Sequence, residues 1–134
     1  MTRRLFTVGE VNALLPALAA AMDQVTAGTR RLEELSDDIF EEGRPLPDTP
    51  VPPEYVVTML SLQDGVDSIQ KMGGEVKDTR QGLVDFRSLK DGREVYLCWV
   101  AGEEHVGFWH EMHAGFAGRT AITDHGEFRG EDPS

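Results

Sequence analysis

The chain has 134 residues, 40% of them hydrophobic and 28% charged, with a net charge of −11; this is the size of one domain with a single core, and the composition excludes a disordered chain. The acidity, with no cluster of Lys and Arg, argues against nucleic-acid and anionic-membrane partners, because phosphate binding needs grouped cations to displace counterions. Cys98 is the one cysteine and cannot close an intramolecular disulfide, and no apolar run approaches the ~20 residues of a membrane span, so a cytoplasmic protein is expected.

Arg3, Arg4 and the partly apolar run to Ala21 imitate a secretory leader, but Glu10 and Asn12 interrupt it. An amphipathic helix over residues 6–42 is expected instead. Thr7 and Glu10 stand in the capping-box relation, and Phe6 and Val11 are spaced as a hydrophobic staple. Val11, Leu18, Val25, Leu32 and Ile39 recur every seven residues, with Leu15, Met22 and Leu35 widening the stripe. That pattern belongs to a long helix packed against another. Pro16 deletes one helical hydrogen bond, and Gly28 weakens the middle by roughly 1 kcal/mol.

Residues 43–53 hold five of the seven prolines and are expected to form a stiff connector, since each proline fixes φ and lacks a donor. A second helix over residues 54–72 follows, with Tyr55, Met59, Leu62, Val66 and Ile69 on one face and Gly73-Gly74 as its stop. The two helices should form an antiparallel hairpin.

The β unit spans residues 75–122. Its strongest signal is Asp91-Gly92 between two alternating runs, because a type I′ turn requires φ > 0 at both central residues. That turn opposes Val84 to Trp99, Phe86 to Leu97 and Ser88 to Val95 on one face, and Asp85 to Cys98 and Arg87 to Tyr96 on the other. The next turn, near Gly102 to His105, is less determined. Loops of two or four residues place Phe108 beside Trp99 and His110 beside Leu97, turning His110 inward; a three-residue loop inverts this. The first parity is adopted here. The fold expected is α+β, a long helical hairpin packed on one face of a three-stranded antiparallel meander, followed by a frayed acidic tail over residues 126–134.

All four histidines lie in the last 30 residues, and Glu111 sits between His110 and His113. Imidazole and carboxylate together suit zinc, iron or manganese, so His110, Glu111 and His113 are candidate ligands. Alternation along a strand sends His110 and Glu111 to opposite faces unless the strand bulges or ends there. The bland alternative is a core histidine hydrogen-bonded to backbone or to a carboxylate. On the outward face, Arg87, Tyr96 and Trp109 could form a recognition surface with aromatic area and a directional donor, or merely an ion pair laid over a tyrosine. Gly115, Gly118 and Arg119 could cradle an anion, although a structural turn needs the same residues. Cys98 has no basic neighbour in sequence to activate its thiol.

The segments FTVGEVNALLP, GLVDF, DGREVYLCW and WHE with AGFAGR, from Phe6 to Arg119, resemble the bacterial proteins grouped as domain of unknown function 2203. The resemblance implies a helical hairpin followed by a small sheet and carries no activity with it. His110, Glu111 and Arg119 match the family pattern; His113 departs from a position that is often acidic, and the connector is richer in proline than usual. The functional expectation is a homodimeric binding module for a protein partner or small ligand. The alternative is a metal-dependent, hydrolytic enzyme built around His110 and Glu111.

Overall fold

The computed structural model describes residues 4–130. The capping box forms as expected: the Thr7 hydroxyl accepts from the Glu10 amide, and the Glu10 carboxylate accepts from the Thr7 amide. Helix α1 then runs over Val8–Ile39 without interruption at Pro16, a length of about 48 Å. It ends three residues before the expected boundary. Phe40–Glu41 (β1) and Arg44–Pro45 (β2) pair as a miniature hairpin, with Glu42 and Gly43 at φ 52° and 77° making the tight turn. The connector is therefore partly regular, because a positive-φ pair at its start lets the chain reverse before the prolines take over.

Helix α2 covers Pro53–Met72 and stops at Gly73, which adopts φ 102° and donates its amide to the Gln70 carbonyl. The helices cross closely because glycines stand at the contact. A Cβ on Gly65 would lie 2.8 Å from Val25 Cγ2, and one on Gly28 would lie 3.1 Å from Leu62 Cβ.

Five antiparallel strands follow, Glu75–Asp78 (β3), Leu83–Lys90 (β4), Arg93–Val100 (β5), Phe108–Glu111 (β6) and Thr120–Ala121 (β7), in that spatial order. The expected three-stranded meander is thus the centre of a five-stranded sheet. The outer strands are short: β3, the edge strand that the sequence allows over Glu75–Asp78, pairs along β4, and β7 adds two residues to β6. Asp91 and Gly92 take φ 53° and 78°, and the β4–β5 register is the one that turn dictates, with Asp85 opposite Cys98 and Phe86 opposite Leu97.

The β5–β6 register corrects the expectation. Tyr96 faces His110, Leu97 faces Trp109 and Cys98 faces Phe108. Residues 101–107 form an odd-length connection, and one residue of difference exchanges the two faces of β6. The cause is visible in the loop. Val106 is fully buried beneath α1, its amide donating to the Asn12 side chain, while the Glu103 carboxylate accepts from the Val100 amide.

The core lies between α1 and one face of the sheet: Val8, Val11, Leu15, Leu18, Met22 and Val25 against Val84, Phe86, Val95, Leu97 and Trp99. Burying each large side chain is worth about 1.5–3 kcal/mol. Phe6 closes one end, its ring edge-on to Phe86. The stretch expected to fray also contributes. Phe128 is buried against Trp109, and Leu89 and Arg129 exchange two backbone hydrogen bonds; residues 131–134 of the expected tail lie outside the described part.

Candidate functional site

The outer face of the sheet, away from α1, carries Asp85 on β4, Tyr96 and Cys98 on β5, and His110 on β6. Three of these converge. Asp85, Cys98 and His110 are buried, and one donor atom from each lies within 4.8 Å of the other two. His110 Nε2 is 3.1 Å from Asp85 Oδ2, while Nδ1 is 2.8 Å from the Glu111 carbonyl oxygen. A carbonyl only accepts, so Nδ1 carries a hydrogen. Asp85 Oδ1 has no hydrogen-bond partner among the described residues, although it is fully buried. Burial pushes the Cys98 thiol up to about 12, with the negative charge of Asp85 adding to the effect and Arg119 opposing it.

Asp85 and His110, with Tyr96, form part of the floor of a cleft of about 280 Å³. Its walls are Lys77 and Asp78 of β3, Leu83, and Met112, Gly115 and Phe116 from the segment after β6. Met112 and Phe116 expose 36% and 47% of their surface, so the wall they form is apolar and open to solvent. Beside the cleft, Tyr96 donates its hydroxyl to Glu75, which also receives Arg87 at 2.8 Å and Lys77 at 3.3 Å.

Burial works against ionising Glu75, but the hydrogen bonds from Tyr96 and Arg87 and the charge of Arg87 hold its carboxyl below its ordinary 4.5. A depressed carboxyl stabilises the fold when ionised, and that contribution is lost as pH falls through the folded value. Glu75→Gln is therefore expected to lower stability at neutral pH and to make stability less sensitive to acid below about pH 5. Urea midpoints across that range check this; parallel curves for the two proteins would contradict it.

The expected site residues fall into different places. His110 stands on the floor of the cleft, but Glu111 points to the other face and pairs with Arg93. His113 is exposed beyond the strand, and its charge acts on Glu111. The odd connection that turned His110 outward turned Trp109 inward, where it packs against Phe128 and under Lys90. Arg87 and Tyr96 do lie together, with the guanidinium 5.3 Å from the ring centroid, and both are committed to Glu75.

Arg119 donates to the Cys98 carbonyl and to both carboxylate oxygens of Glu103, and stacks 4.0 Å from the Phe108 centroid. It fastens the 101–107 connection to β5. The Gly118 and Arg119 amides donate within their own 3-10 turn to the Gly115 and Phe116 carbonyls, so those two amides serve the turn itself. Asp85 and Cys98 were the residues sequence reasoning missed. Their pairing was legible, and an odd β5–β6 loop would have brought His110 to them.

No helix among the described residues is long and apolar enough to cross a membrane. No curated protein and no solved structure matches the chain. Residues 4–122 match the family described as "Uncharacterized conserved protein (DUF2203)"; with the helical hairpin and antiparallel sheet in place, the chain belongs to that family.

Proposed function

We propose that this protein is a binding module whose small-molecule ligand occupies the cleft over the outer face of the sheet. The observation that carries the reading is the cleft's construction: buried polar groups of Asp85, Tyr96 and His110 on the floor, reached between the apolar walls of Leu83, Met112 and Phe116. Small-ligand sites combine an apolar lining with a few convergent polar groups in this way. The ligand suited to it has an apolar part to lie on Phe116 and Met112, and a polar end to reach the floor.

The test is a thermal-shift screen of small metabolites against chelator-treated protein. At a hundredfold excess over Kd a ligand should add about 2.7 kcal/mol, a shift of several degrees. That shift should disappear in Phe116→Ala and shrink in Lys77→Gln, both solvent-facing changes that leave the core alone. A shift that survives in Phe116→Ala would place the ligand elsewhere, and no hit from a broad library would count against the reading.

A homodimer is the second reading, and the exposed side of α2 supports it. Val56, Val57, Met59 and Leu60 expose 45–64% of their surface on that helix, with Val51 beside them at 50%. Apolar groups gathered in this way mark contact surfaces. Sizing with light scattering should give twice the chain mass and the monomer mass for Leu60→Glu; a monomeric parent protein would remove the proposal.

A further inference from the structure

We propose that the Asp85–Cys98–His110 cluster is a binding site for a thiophilic divalent metal ion of the zinc class. The inference rests on the preceding reading only in that the same cleft provides access; the donor geometry stands by itself.

Each of three adjacent strands contributes one donor, and the set is a carboxylate oxygen, a thiol sulfur and an imidazole nitrogen. Mixed N, S and O donors suit zinc and its neighbours, whereas magnesium and calcium demand shells made of oxygen. The hydrogen bond from His110 Nδ1 to the Glu111 carbonyl leaves Nε2 as the donor facing the cluster. A second nitrogen tied to a backbone carbonyl is the arrangement that orients metal-binding histidines.

The lone pair of Nε2 then meets an acceptor-only carboxylate at 3.1 Å. Two lone pairs at that distance repel unless a cation lies between them. A shared proton would satisfy that one contact. It would leave Asp85 Oδ1 without a partner, and that oxygen is buried with none among the described residues. A metal ion held by one Asp85 oxygen, the imidazole and a Cys98 thiolate removes that repulsion, and its charge also compensates the second Asp85 oxygen. In a tetrahedral site with bonds of about 2.0–2.3 Å, donor atoms stand roughly 3.3–3.8 Å apart, so a cluster already within 4.8 Å closes with shifts of about an ångström. Asp85 and His110 also line the cleft. The fourth position faces that opening, where water or an electron-pair donor of the cleft's ligand would complete the shell.

The experiment uses the full chain purified without an affinity tag, stripped with chelator and titrated with zinc by calorimetry and with cobalt(II) by absorption. One zinc per chain is expected, and the cobalt form should show visible bands of tetrahedral character together with a near-ultraviolet thiolate charge-transfer band. Cys98→Ser and Asp85→Asn, checked for native circular dichroism, should each weaken zinc by more than ~100-fold. Cys98→Ser should also erase the charge-transfer band. His113→Ala should change nothing, because His113 is exposed and apart from the cluster.

Zinc retained in full by Cys98→Ser, or lost in His113→Ala, would mean surface binding and overturn the site. So would the absence of zinc uptake by folded parent protein. The metabolite screen on metal-free protein reports separately, so a failure of the metal site leaves the cleft reading intact, and the reverse also holds.

Discussion

Trp99→Ala is expected to cost about 3–5 kcal/mol, the usual penalty for truncating a buried aromatic. The indole is 2% exposed and packed in the core between α1 and the sheet. Its Nε1 donates to the Glu103 carbonyl at 3.0 Å, so the substitution also leaves a carbonyl without a donor and slackens the connection that sets the position of β6. A domain of this size has about 5–15 kcal/mol of stability in total. The variant should therefore be much less stable, with its urea midpoint reduced by about a fifth or more. A loss under about 1 kcal/mol would show that the indole is not the centre of the packing.

His110→Ala comes next, at about 3–5 kcal/mol, because it removes the imidazole that meets Asp85 Oδ2 and breaks a buried pair. The effect should be non-additive. In the Asp85→Ala background, removing His110 no longer breaks that pair, and the second substitution should cost at least about 1.5 kcal/mol less than it does alone. Denaturant unfolding of the four proteins of the cycle, in chelator, measures this coupling without any contribution from metal. Additive losses would mean that the two side chains do not meet.

Much of the fold was legible because local chemistry specified it. The capping box at Thr7 and Glu10, the stop at Gly73 and the turn at Asp91-Gly92 each depend on residue types that satisfy a particular backbone need. Through that turn the β4–β5 pairing followed residue by residue. What escaped were features whose cause lies in distant packing. Val106 looks like a strand residue in sequence, but it belongs to a loop that α1 pulls into the core through Asn12. Nothing local distinguishes that from an ordinary hairpin, and the one-residue difference reversed the faces of Trp109 and His110.

The same reasoning covers the smaller misses. Phe128 is a single aromatic in a polar stretch, and its burial depends on the pocket beside Trp109. Strand β7 has two residues, too few to show a period. The candidate site was half legible. His110 stood out by type, and Asp85 opposite Cys98 followed from the turn, but joining them required the parity of a loop that only tertiary contacts decide. Glu111 and His113 were drawn in by adjacency in sequence, which along a strand is the wrong neighbourhood.

The central claim is that the odd-length 101–107 connection turns His110 to the outer face, onto Asp85 and Cys98. Cross-strand nuclear Overhauser contacts between backbone protons of β5 and β6 test it most directly. Contacts linking Tyr96 with His110 and Cys98 with Phe108 are the predicted result. Contacts linking Leu97 with His110 and Trp99 with Phe108 would place His110 under the helices and contradict the account.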